Sequence, residues 1–201
     1  LGWKGARWMS ALAASLMSAS SVFGQIAGEH VASGTATFQR QGSFTQITAS
    51  NNAIINYRQF DVRSNETVRF VQPDALSRVL NRINSNVPSR IEGQIQSNGR
   101  VYLVNPAGVF FAKGAMLNVG GIYAAAGNIT DGDFLRGVNR FTTTPGAKVV
   151  NEGQIHGDIV GLIGDQVFNF GAIDAPQGTV AMVSGDSVLL GERDGHVFAK
   201  V

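Results

Sequence analysis

The chain has no cysteine, so no disulfide framework staples it and no thiolate is available to a metal. Charge is sparse as well. Only 15% of the 201 residues are charged, against 44% hydrophobic. That much apolar surface must be buried, which excludes a disordered chain. The formal net charge of +2 comes from Lys4 and Arg7, and without these two the remainder is formally neutral. The pI of about 9.2 therefore carries no message about nucleic acid, and no basic stripe with interleaved aromatics is present. His30, His156 and His196 lack metal-ligand spacing. There is no Gly-x-Ser-x-Gly elbow and no phosphate-binding Gly-Lys-Ser/Thr loop. No catalytic residue, cofactor or metal site is assigned.

What is present begins with a leader. Lys4 and Arg7 form a basic start, Met9 to Val22 an apolar stretch diluted by serine, and Val22-Phe23-Gly24 a place to cut ahead of Gln25. Residues 1–24 are expected to be a signal peptide, because the apolar run falls short of the roughly 20 residues of a membrane span. The chain starts with Leu1, so its true N-terminus is expected to lie upstream. Residues 25–201 form the second expected unit.

That unit is built of short apolar runs punctuated by glycine, asparagine and proline, the pattern of strands joined by tight turns. Three alternating stretches between Ile26 and Thr48 suggest two or three strands capping one end of a stack, where open sheet edges otherwise invite pairing. Ala53–Tyr57 and Glu66–Val71 read as further strands. Asp74 to Ile83 is ambiguous: the favoured reading is turn then strand, with a short helix as the alternative. Asn128 to Gly146 is polar and reads as an excursion, a hairpin outside the stack. Around Asn105-Pro106-Ala107-Gly108 a turn has a mechanism, since Pro106 fixes φ and Gly108 tolerates positive φ.

Repeats become legible near the end. Asn151-Glu152-Gly153-Gln154-Ile155 recurs as Asn169-Phe170-Gly171-Ala172-Ile173, and Gly164-Asp165-Gln166-Val167 as Gly185-Asp186-Ser187-Val188. Glu92-Gly93-Gln94-Ile95 matches Glu152-Gly153-Gln154-Ile155 at a distance that reads as three periods of about 20 residues. A period near 20 with strand content means a solenoid. The leucine-rich frame is missing, which leaves a parallel β-helix, right-handed by the general crossover preference. Ile155 and Ile173 are expected to stack inside. Asp165 and Asp186, about one period apart, are the only carboxylates that suggest a polysaccharide-active site. Both follow glycine directly, which favours an ordinary coil corner.

The run Ser97-Asn98-Gly99-Arg100-Val101-Tyr102-Leu103-Val104-Asn105-Pro106-Ala107-Gly108, continued through Gly114-Ala115 to Asn118-Val119-Gly120-Gly121, resembles the secretion domain of the filamentous haemagglutinin family. This is the exported partner of two-partner secretion. Upstream, Ala53–Tyr57 with Phe60 and Val62, and Val68, Phe70 and Gln72-Pro73, are similar to the same family. Here Ala107 stands where the family motif has asparagine, Ala112 where glycine is usual, and Tyr57 where tryptophan is usual.

The resemblance covers nearly all of residues 31–190. It implies an all-β, right-handed parallel β-helix and a secretion-targeting, fold-nucleating domain of a large adhesin- or haemolysin-like surface protein. The implied partner is an outer-membrane transporter with periplasmic domains, to whose sheet edge the chain would add a strand. The implied route runs through the periplasm and outer membrane of a diderm bacterium, and lack of disulfides suits a chain that crosses the second membrane unfolded. The Asn105–Gly108 turn is the secretion motif, serving either transporter recognition or coil geometry. His196–Val201 still alternates with no polar cap, so the protein is expected to continue, with any receptor or glycan bound downstream. The alternatives are a β-helical polysaccharide-active enzyme and a free-standing carbohydrate-binding adhesin.

Overall fold

Short alternating segments bury their apolar side chains only by stacking on copies of themselves. A computed structural model describes residues 26–193 and 196–201; the expected leader and the cut between Gly24 and Gln25 lie outside the described residues. The described chain is a parallel β-solenoid of about six turns.

At its N-terminal end lie β1 (His30–Ser33), β2 (Ala36–Gln41) and β3 (Phe44–Ala49). β2 pairs antiparallel with β3, and β1 pairs antiparallel with β4 (Ala53–Tyr57). These are the capping strands expected there. The stack that follows is parallel and three-faced. β5 (Thr67–Val71) lies on β3 and β6 (Arg78–Ile83) on β4. β7 (Ser89–Ile91) opens the third face, with Ile91 bridged to Val62. β8 (Gln94–Val104) bends across two faces, its first half on β5 and its second on β6, and β9 (Val109–Phe111) lies on β7. β10 (Met116–Ala125) repeats the bend of β8.

The chain then leaves the stack through β11 (Gly127–Asn128), α1 (Asp131–Arg136) and β12 (Asn139–Thr143). It returns as β13 (Lys148–Asn151) on β9. β14 (Gln154–His156), β15 (Ile159–Gly164) and β16 (Gln166–Asn169) form the next turn, and β17 (Ala172–Asp174) and β18 (Thr179–Ser184) the last. β19 (Ser187–Arg193) and β20 (His196–Lys200) pair antiparallel, and β19 also pairs antiparallel with β12.

Two sequence readings are refined. Asp74 accepts from the Leu76 and Ser77 N–H groups at 2.9 and 2.7 Å, closing a turn that hands over to β6, so the short-helix alternative is not realised. The excursion is a hairpin only in that β11 and β12 pair antiparallel. A helix joins them, capped by Thr130 Oγ1 and ended at Gly137 with φ +75°, and the two strands belong to a four-stranded sheet with β19 and β20.

One other is corrected. Ile95 stacks on Leu117 and Leu117 on Ile155, so the two matching Glu-Gly-Gln-Ile segments are two turns apart, not three. The excursion lengthens one turn to 38 residues, from Leu117 to Ile155. The Gly-Asp recurrence does mark stacked corners, since Gly164 lies opposite Ser184 and the Gly185 N–H donates to the Gly164 carbonyl at 3.3 Å; beyond them the chain diverges, Asp165 leading into β16 of the stack and Asp186 into β19 of the antiparallel sheet. The Asn151/Asn169 recurrence is a coil repeat: Asn151 pairs with Asn169 and Ile155 with Ile173.

The interior is a column of Val68, Ile95, Leu117, Ile155 and Ile173 facing columns such as Val79, Val101, Ile122 and Val160. One polar residue sits among them. Asn81 is fully buried, accepts from Tyr57 Oη at 3.1 Å and donates to the Tyr102 carbonyl at 3.1 Å, so its burial is compensated. A second core lies outside the face made by β4, β6, β8, β10 and β15. There Ile54, Leu80, Tyr102 and Tyr123 pack under Phe134, Phe141, Val188 and Leu190.

Candidate functional site

The Asn105–Gly108 motif forms the corner between β8 and β9, and each of its residues has a distinct task. Pro106 disfavours helical backbone at Asn105, so the chain arrives extended and then reverses. The Gly108 N–H donates to the Asn105 carbonyl at 3.0 Å, closing the turn. Gly108 has φ +119°, and a Cβ there would lie 2.7 Å from the Lys148 carbonyl oxygen. Both the left-handed backbone and the close approach of the next turn demand glycine.

Asn105 is wholly buried, and its side chain is fully used. Nδ2 donates to the Val87 carbonyl at 3.0 Å and to Ser89 Oγ at 3.1 Å, both on the preceding turn. Oδ1 accepts from the Ala107 N–H at 2.9 Å, an Asx turn. The backbone extends the clamp both ways: the Asn105 N–H donates to Ala125 of the following turn and the Ser89 N–H donates to Gly108. One asparagine therefore ties three consecutive turns. In this corner Ala107 supplies only its N–H to that network, and Pro106 and Ala107 are the half-exposed members.

Two further corners use the same device, and the motif search passed them by. Asn151 is fully buried, donates to Asn169 Oδ1 at 2.8 Å and accepts from the Gly153 N–H at 3.0 Å. The recurrence of Asn-x-Gly-x-Ile was the available signal. Asn98 exchanges a pair of bonds with the Gln72 backbone, at 2.8 and 2.7 Å. That link joins the two similarity segments Gln72-Pro73 and Asn98-Gly99, which local spacing does not connect.

The other candidates do not converge. Asp165 Oδ2 accepts from the Gly146 N–H at 2.8 Å, a corner role, and Asp186 lies in the bend between β18 and β19. His156 Nδ1 sits 2.9 Å from Asp174 Oδ2 on an exposed face, while His30 is in the capping strands. Among the described residues no three His, Asp or Glu side chains are grouped to hold a metal.

A stack of coils that starts under antiparallel capping strands and is pinned at its corners by asparagines is the architecture of a β-helical export domain. The TPS secretion domain family matches residues 24–198. The crystal structure of the HMW1 secretion domain from Haemophilus influenzae superposes with a TM-score of 0.80 at 33% identity, over 88% of this chain and 48% of that one. Two heme/hemopexin-binding proteins of Haemophilus influenzae are also similar. One is 37% identical over 142 residues and the other 36% identical over 93. These alignments cover 65% and 45% of this chain but only 16% and 10% of those proteins. The chain belongs to the TPS secretion domain family, the exported partner of two-partner secretion. Its members pass through the periplasm and the outer membrane to the cell surface or the medium, and the domain implies a dedicated outer-membrane transporter.

Proposed function

We propose that this domain addresses an exported surface protein to its transporter and then nucleates folding on the far side, with the Asn105–Gly108 corner acting through the geometry it imposes. The observation that carries nucleation is the state of the last turn. Val180 and Met182 lie in register with Val160 and Leu162 of the interior. Val160 and Leu162 are fully buried, yet Val180 is 45% and Met182 42% exposed. Interior side chains left open at one end are a template, because an added turn buries them and gains backbone partners at once.

The reading is one of export, not turnover. The polysaccharide-enzyme alternative rests on Asp165 and Asp186, which follow the glycines of two stacked corners, and Asp165 Oδ2 is spent on the Gly146 N–H. A free-standing adhesin has no need of a transporter-directed domain.

Met182→Glu in the full secreted protein tests the nucleating role. The isolated domain should keep its Tm, since this side chain is already half solvated. The secreted protein should lose protease-resistant material beyond the domain. Equal resistance in variant and parent would remove the templating role.

A further inference from the structure

The face of the solenoid made of β7, β9, β13 and β16 is open on its outer side, yet that side is not polar. Arg90, Phe110, Val150 and Phe168 stack there in one outward column, apolar over three successive turns. Phe170, at the corner beyond, is 73% exposed and stacks on Phe168, 38% exposed, with ring centroids 6.0 Å apart. At the opposite corner Val87 is 63% exposed. It lines a groove of about 510 Å³ with Arg90, Ala107, Phe110 and Val150. The other two faces differ. One is covered by the antiparallel sheet and α1, and the other carries the polar column Gln46, Arg69, Gln96, Asn118, His156 and Asp174.

Charge around the apolar strip is balanced, and it alternates. Arg90 lies 4.7 Å from the Phe110 ring centroid and is paired with Glu92. Lys113, Lys148, Glu152 and Asp165 have no ion pair among the described residues. With both signs equally represented, the surface selects neither a basic nor an acidic partner. At the corner after these strands the Ala112, Glu152 and Phe170 N–H groups donate to the Ile91, Phe111 and Asn151 carbonyls. Glu92, Ala112, Glu152 and Phe170 therefore lie one above another, and Lys113 follows Ala112. The order along that corner is negative, positive, negative, apolar.

We propose that the folded domain pairs with a second copy of itself across this face, about a two-fold axis that runs parallel to the strands between β9 and β13. Such an axis reverses the order of the turns and sets each corner against its own counterpart. Phe110 of each copy then meets Val150 of the other, and Phe168 meets Arg90 at the groove. At the corner, Lys113 of each copy comes opposite Glu152 of the other. Every contact occurs twice, and two charges that have no partner within one chain find one in the second. A two-fold along the solenoid axis is disfavoured, because it sets Arg90 against Arg90. Four strands about 4.8 Å apart give a strip about 19 Å long, short of the roughly 800 Å² per partner of a stable complex, so the pairing is weak and reversible. It needs the finished face, so it forms only after the chain has crossed the outer membrane and folded.

Sedimentation of the purified chain up to millimolar concentration should show a concentration-dependent equilibrium of monomer and dimer. Phe168→Ser with Phe170→Ser changes exposed positions and should keep the Tm while weakening the dimer about tenfold. Lys113→Glu and Glu152→Lys should each weaken it about tenfold, because the two-fold then places like charges opposite each other twice. Mixed in equal amounts, these two variants should pair with each other at parent-like affinity, since each again meets its opposite charge. Lys113→Glu combined with Glu152→Lys in one chain should pair likewise. Arg69→Glu, the same charge change on the polar face, should leave the dimer as it is. A parent chain that stays monomeric at millimolar concentration overturns the proposal, and so does a dimer that every strip variant leaves intact. A mixture that pairs no better than either variant alone overturns the two-fold arrangement and the proposal with it.

Discussion

Removing the Asn105 carboxamide is the sharpest test of how the Asn105–Gly108 corner works. Asn105→Ala deletes three hydrogen bonds and leaves the Val87 carbonyl, Ser89 Oγ and the Ala107 N–H without their partner. Ser89 is buried, whereas Val87 lies at the surface and its carbonyl can be rehydrated. An unsatisfied buried polar group costs about 1–3 kcal/mol. Counting Ser89 Oγ fully, and the N–H of half-exposed Ala107 and the Val87 carbonyl in part, gives about 3 kcal/mol. For a domain of this size that is a fall in Tm of about 6–12 °C. Differential scanning fluorimetry on the purified domain reads the shift, and secretion with the cognate transporter is measured beside it. A corner that works through geometry loses secretion in proportion to stability, in Asn105→Ala and in the more severe Gly108→Val alike. If Asn105→Ala melts within a degree of the parent yet is no longer secreted, the carboxamide is read directly by the transporter and the clamp argument is wrong.

The interior register gives a graded expectation. Ile155→Asp buries an unpaired charge in mid-stack and should cost at least about 4 kcal/mol, whereas Ile173→Asp, on the partly open last turn, should cost about 2; equal urea midpoints for the two would refute the register. Burial pushes the Tyr57 and Tyr102 phenols well above the ordinary value of 10.0. Their contribution is whole below pH 10. Above it the unfolded chain ionises while the native one does not, so stability falls by about 1.4 kcal/mol per pH unit for each phenol. Tyr57→Phe should cost about 1 kcal/mol near neutrality through the unpaired Asn81 Oδ1 and should flatten the alkaline slope by one phenol's share. An unchanged slope in urea titrations between pH 10 and 11 would contradict this.

Much of the stack was legible because strand alternation and corner chemistry are local. The expected strands Ala53–Tyr57 and Glu66–Val71 are β4 and, from Thr67, β5. The Asn151/Asn169 recurrence set a correct register because both residues occupy the same corner of successive turns. The failures were non-local. Gly-Asp marked the stacked corners after β15 and β18, but not that the chain leaves the stack for β19 beyond the second. The period of 20 was stretched by the excursion, and matching segments on either side of it counted one turn too many. The Asn105–Gly108 corner itself was visible as a turn. Its clamp on Val87 and Ser89 was not, because those partners belong to another turn of the stack.

One signal in the sequence did announce the second core, though its meaning needs the fold. Ala53-Ile54-Ile55, Val101–Val104 and Ile122–Ala126 are continuous apolar runs, not alternating ones, and a strand buried on one side only should alternate. All three lie on the one face covered on its outside. There the Tyr102 and Tyr123 rings stack at 4.5 Å, and Asn139 of β12 joins their hydroxyls, accepting from Tyr102 Oη at 2.8 Å and donating to Tyr123 Oη at 3.3 Å. The next residue in that column is Gly161, where a Cβ would stand 2.9 Å from Tyr123 Cδ1, so the tyrosine lies flat only over glycine. The excursion is therefore not an appendage on a finished solenoid. Its helix and strand close a face whose side chains were chosen for burial on both sides, and without them Ile54, Leu80, Tyr102 and Tyr123 would form an exposed apolar ladder across four turns, the kind of surface that drives association. An exported chain that folds turn by turn must thus complete β12 and β19 before this face is protected, which couples the last turns of the domain to its middle.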